Sequence, residues 1–125
     1  MEPEAKARLE IDKMLEESGW IVQDRDEKEL LAGRGVAIRE YPLGQLEADY
    51  VLFVDEHPVG VVEAKKIGWT LSGVEGQSKN YLNELKEKFP DAPTPPCFAY
   101  ESTGIETQFT DLRDPNYRSR DVFSF

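Results

Sequence analysis

One cysteine, one histidine and no long apolar run are present among 125 residues, and each scarcity removes a class of chemistry. Cys97 alone excludes an internal disulfide and any zinc site built on cysteines, and it reads as a small core hydrophobe. His57 alone, beside Pro58 in an expected turn, leaves no Ser-His-Asp or Cys-His arrangement and reads as a solvated loop residue. No stretch reaches the roughly 18 apolar residues needed to span a membrane. The acidic, polar opening is not expected to act as a secretory signal, and a reducing, cytoplasmic location is expected. Bases are also scarce: 15 Lys and Arg stand against 25 Asp and Glu, a formal net charge of −10. Because affinity for DNA comes largely from phosphate neutralisation, free-standing nucleic-acid binding is disfavoured. The excess sits early, with ten acids against five bases in residues 1–29. Isolated later bases (Lys65, Lys66, Lys79, Arg113, Arg118, Arg120) remain available to a phosphate backbone. Gly33-Arg34-Gly35 lacks the lysine and the Ser/Thr of a phosphate loop.

The length fits one domain that buries roughly two-thirds of its unfolded surface. Residues 4–18 predict an amphipathic helix, with Ala7, Ile11, Met14, Leu15 and Ser18 on one stripe and Gly19 as its stop. Trp20 to Gln23 predicts a short strand before an acidic loop over 24–29. Val36 to Tyr41 alternates, with Val36, Ile38 and Glu40 against Ala37, Arg39 and Tyr41, and Pro42 is expected to end it. Ser72-Gly73-Val74-Glu75 forms a capping box for a helix whose stripe is Val74, Tyr81, Leu82, Leu85 and Phe89, stopped by Pro90. Gln77 falls on that stripe and needs a partner. Four prolines between Pro90 and Pro96 stiffen a connection to strands at 97–100 and 106–110, around a Thr103-Gly104 turn. A last β segment is expected over 122–125.

Charge appears where these patterns predict a buried hairpin. Asp49 opens the run 49–54, and Glu63 and Lys65 close the run 59–65. A strand buried on both faces is near-continuously apolar, and an unpaired buried charge is costly enough to neutralise instead. Glu63 and Lys65 share a face because they are two apart. Asp49 joins them only if paired residue numbers sum to an even value near 112 or 114, which implies an odd number of loop residues. A divalent metal held by the carboxylates, with the lysine beside it, accounts for the convergence; a surface salt bridge at a hairpin end is the plainer alternative.

Asp49 followed by Glu63-Ala64-Lys65 resembles the PD-(D/E)xK nuclease superfamily. Several stretches narrow the resemblance: the opening helix from Glu4 into Ser18-Gly19-Trp20, residues 35–43, Ala48-Asp49-Tyr50, Val62 to Lys66, residues 73–82 and Tyr100 to Gly104. Together they resemble the N-terminal nuclease domain of the type I restriction-enzyme R subunit. The fold implied is α/β (α+β): a mixed central sheet with a catalytic hairpin, flanked by helices, in the order αβββαβ. The chain is expected to be a single domain over 1–125 and, lacking an ATPase motif and ending on an apolar residue, a fragment of a larger motor subunit.

The resemblance implies an endonuclease that hydrolyses duplex DNA with Mg²⁺, or Mn²⁺ in its place, by a route without a covalent intermediate. Asp49 and Glu63 are the implied metal ligands, with the backbone carbonyl of Ala64 as a third. Lys65 is implied to position or deprotonate the attacking water, or to stabilise the transition state. Gln77 and Tyr81 match a Gln-x-x-x-Tyr motif beside the site, with Lys66 as a phosphate contact and Glu4 as an extra acid. Tyr81 can equally be a core aromatic, Gln77 a satisfied buried amide and Lys66 a solvated neighbour. The implied partners are duplex DNA and the methyltransferase and specificity subunits, with ATP used only by the motor domain. A non-catalytic docking module of the same fold, or a stand-alone repair nuclease, are the other readings.

Overall fold

A computed structural model describes residues 3–66, 68, 71, 75–114, 120–122 and 124–125, without the side chains of 27, 75–77 and 120. Helix α1 spans Pro3–Glu17, with proline in the first turn, where its missing N–H costs nothing. Ala7, Ile11 and Leu15 are its buried stripe. It ends in a Schellman turn: Trp20 N donates to Leu15 O and Gly19 N to Glu16 O, both at 3.0 Å, with Gly19 at φ +98°. Ser18, expected on the stripe, is exposed because the chain has already left the helix there.

Among the described residues seven strands follow in one sheet, in spatial order β1 to β7: Ile21–Asp24, Gly35–Leu43, Leu46–Val54, His57–Ala64, Phe98–Ser102, Thr107–Asp111 and Arg120–Val122. Helix α2, Glu75–Lys88, connects β4 to β5, which run parallel; β1 and β2 are also parallel and the other neighbours antiparallel. The sheet is thus mixed and the protein α+β. Four strands separate the two helices where the order αβββαβ counts three. The expected capping residues 72–74, Val74 among them, lie outside the described residues. The last strand falls at 120–122, earlier than its expected place at 122–125.

The two helices cover opposite faces. Ile11 and Leu15 of α1 pack on Ala37, Tyr50, Leu52, Val62 and Ala64. Leu82 and Leu85 of α2 pack on Val36, Ile38, Val51, Phe53, Val61 and Ala99. Polar contacts pin α1 as well: the Tyr50 hydroxyl donates to Asp12 (2.5 Å), and Arg39 donates to Asp12 (3.0 Å) and Asp24 (2.8 Å). Among the described residues no helix is long and apolar enough to cross a membrane.

Strand β2 departs from its expected alternation. Val36 and Ile38 before Glu40, and Tyr41 and Leu43 after it, all join the same core cluster. Glu40 takes a left-handed φ of 51°, which lets the strand change parity. Pro42 does not end the strand but pairs with Glu47. β1 pairing stops at Arg39, so a missing N–H at Pro42 removes no bond on that side.

The β3–β4 hairpin turns on two residues, Asp55 and Glu56, both left-handed at φ 49° and 69°. An even loop replaces the odd one expected, and places His57 at the exposed start of β4 rather than in the turn. Next to the turn, Val54↔His57 and Phe53↔Pro58 sum to 111; beyond it, Leu52↔Gly60 and Tyr50↔Val62 sum to 112. Val59 is the extra residue of a β-bulge, and its carbonyl accepts from Cys97 N (3.1 Å). The bulge restores the even sum that sets Asp49 across from Glu63.

Candidate active site

Asp49 and Glu63 sit on adjacent central strands, 8% and 6% exposed. Ala64 N donates to Asp49 Oδ2 (2.7 Å), so the expected carbonyl donor is tied to the site through its N–H. The other Asp49 oxygen, Oδ1, accepts from Arg8 of α1. Glu63 Oε2 is buried with no hydrogen-bond partner. Burial first, and then the hydrogen bond and negative charge of Asp49, push the Glu63 carboxyl up to about 9. Lys65 and the Tyr81 hydroxyl oppose that rise.

The hydroxyl of Tyr81, half-buried on α2, acts electrostatically on Glu63 while its ring packs against the core, so Tyr81 serves as core aromatic and as site neighbour. Burial, followed by the charges of Glu63 and Asp49, raises its phenol to about 12. Lys65 is half-buried just past β4, its N–H donating to Ser102 O (2.8 Å), and Lys66 is exposed. Gln77 falls in α2 one residue before Ser78, but its side chain lies outside the described part. Glu4 is linked to the site through Arg8, 3.9 Å away in the same helix. Arg8 also meets Glu40 at 3.2 Å. Asp49, Glu4 and Glu40 hold its guanidinium above its ordinary pKa against burial, which lowers it.

The arrangement fits a cation. Arg8 faces Asp49, but the adjacent Glu63 keeps an unpartnered buried oxygen and is driven towards its neutral form by burial and by Asp49, so the pair can take further positive charge. Among the described residues no three His, Cys, Asp or Glu side chains form a metal-holding group. A metal would therefore rest on Asp49, Glu63, a backbone carbonyl and water, the hard-oxygen set that Mg²⁺ takes.

The family model for the second domain of the type I restriction enzyme EcoKI endonuclease subunit matches residues 25–124. The chain belongs to that family. Among solved structures, a fragment of a protein assigned as an HsdR subunit of a type I restriction enzyme, from Vibrio vulnificus YJ016, superimposes with a TM-score of 0.65. It is 23% identical over 97% of this chain and 23% of its own. The type IIG restriction endonuclease BpuSI gives 0.57, at 17% identity over 90% of this chain and 12% of its own. Both show the fold. The chain spans less than a quarter of the first and about an eighth of the second. No curated protein matches the chain.

Within this type I restriction-enzyme domain the matched span holds Asp49, Glu63, Lys65 and Tyr81, whereas α1 and Arg8 precede it. Arg8 was missed from sequence because a helix arginine four after Glu4 reads as a solvated i,i+4 pair. Glu101 of β5 was missed too. It is fully buried, pairs in register with Glu63 and accepts from Ser78 Oγ of α2 (2.8 Å). A lone acid in the strand Phe98–Ser102 was the available signal, the same one that marked Glu63.

Proposed function

We propose that this chain is the nuclease domain of a type I restriction R subunit, cutting double-stranded DNA by Mg²⁺-dependent phosphodiester hydrolysis. The observation that carries the reading is the buried, unpartnered Glu63 Oε2 beside Asp49, an acid pair in which Arg8 faces Asp49 alone. A hairpin bearing both acids, followed by a helical crossover to a parallel strand, supports a PD-(D/E)xK core. Asp49 and Glu63 would hold the ion, with the Ala64 carbonyl as a third ligand. The ion would supply Lewis acidity and a bound water of lowered pKa. Lys65 would orient the attacking water or offset charge on the phosphoryl group, Tyr81 would orient Glu63, and Lys66 would meet the DNA backbone, with Gln77 assigned to the DNA by its motif alone.

The net charge of −10 supports delivery of DNA by the rest of a larger protein and its methyltransferase and specificity subunits, with ATP turned over by a motor domain. Sequence choice then lies outside this chain. A non-catalytic docking module draws support from Arg8, which already neutralises Asp49. Plasmid cleavage by the full-length complex decides between them, comparing wild type with Lys65→Ala while following ATP hydrolysis. Lost cutting with ATP turnover intact is expected; cutting at the wild-type rate overturns the nuclease reading.

A further inference from the structure

We propose that Ser78 and Glu101 are positioning residues, whose buried hydrogen bond sets α2 so that the Tyr81 hydroxyl meets Glu63. Both residues are fully buried and bonded at 2.8 Å. Ser78 and Tyr81 are three apart on α2, on one face and about 4.5 Å along its axis. Glu63 and Glu101 are register neighbours on parallel β4 and β5, strands about 4.8 Å apart. The Ser78–Glu101 bond therefore anchors the helix face that carries Tyr81 to the strand beside Glu63, on which Tyr81 acts. Leu82 and Leu85 hold α2 to the sheet by apolar contact, which tolerates sliding and rotation. A directional bond does not, and a phenol must be placed within a few tenths of an ångström to stay on Glu63. A fully buried carboxyl is rarely kept where an apolar side chain would fill the space, and orientation of Tyr81 accounts for this one. The inference rests on reading Glu63 as a site residue.

The test uses this chain with ¹³C-labelled tyrosine, assigning Tyr81 by Tyr81→Phe, together with calorimetric titration of Mg²⁺. Ser78→Ala and Glu101→Ala are expected to move the Tyr81 ring resonances and weaken Mg²⁺ binding by roughly tenfold. Glu101→Gln, whose amide oxygen still accepts from Ser78, should stay near wild type. Ser78→Ala on top of Tyr81→Phe should add nothing. Leu85→Val trims the same buried face without touching the Ser78–Glu101 bond and is the control for general loosening. Tyr81 signals that stay put in Ser78→Ala, or move as much in Leu85→Val, overturn the proposal; so does Glu101→Gln behaving like Glu101→Ala. A wild-type chain that binds no Mg²⁺ but shows the expected resonance pattern keeps the positioning role and sinks the metal reading instead.

Discussion

Arg8 on the first helix donates to Asp49 on β3, although 41 residues separate them. With Ala64 N on the other oxygen, both carboxylate oxygens of Asp49 are engaged. A cation arriving at Asp49 therefore meets a guanidinium already there, with Glu4 and Glu40 as its alternative partners.

Replacing Arg8 by Met should cost the metal-free chain about 2 kcal/mol, since it removes a hydrogen bond between charged groups and leaves two carboxylates uncompensated. Added Mg²⁺ should then raise the Tm of Arg8→Met by more than it raises wild type. Thermal unfolding with and without Mg²⁺ checks this, and an equal rise would mean that Arg8 does not compete with the ion.

Glu63 sets a pH dependence. Its carboxyl rises on folding from 4.5 to about 9, mainly through burial. Such a group stabilises the fold below its unfolded value and loses that contribution as pH climbs through the folded one. The metal-free chain should lose stability from about pH 4.5 to 9, and Glu63→Gln should flatten that slope. Mg²⁺ must displace the proton, so its binding should tighten as pH rises through the same window. Melting curves across the range, with an unchanged slope in Glu63→Gln, would remove Glu63 as the cause.

Gly60 follows the bulge and pairs with Phe98 of β5. A Cβ there would stand 2.4 Å from the Phe98 carbonyl oxygen and 2.9 Å from Phe98 Cβ. Gly60→Ala should destabilise the chain by about 3 kcal/mol, because backbone rather than a flexible side chain must give way. Urea unfolding measures it; a loss below a few tenths of a kcal/mol would show that the strands part freely.

The acidic balance limits DNA binding. This chain alone should bind duplex DNA no tighter than about 10⁻⁵ M at physiological salt. Fluorescence anisotropy with a labelled duplex tests it, and tight, salt-resistant binding would refute delivery by other domains.

Much of this was legible along the chain. The stripe Ala7, Ile11, Leu15 and the stop at Gly19 announce α1, because helical period and left-handed tolerance are local properties. Asp49, Glu63 and Lys65 stand out because charge interrupts strands that are otherwise apolar. The hairpin was readable only in part: its even register could be required for the site, but not how it arises. A left-handed pair at Asp55 and Glu56 carries no glycine to announce it, and the bulge at Val59 is held by Cys97, a contact across strands.

Local patterning therefore determined which segments are helix or strand and which residues carry anomalous charge, since both depend on spacing and side-chain chemistry within a few positions. Tertiary structure alone decided that Arg8 meets Asp49 and that Glu101 pairs beside Glu63 and binds Ser78. It also decided that the Glu63 carboxyl is driven towards its neutral form. Those outcomes depend on distances and solvent exclusion between segments far apart in the chain, and no local pattern encodes either.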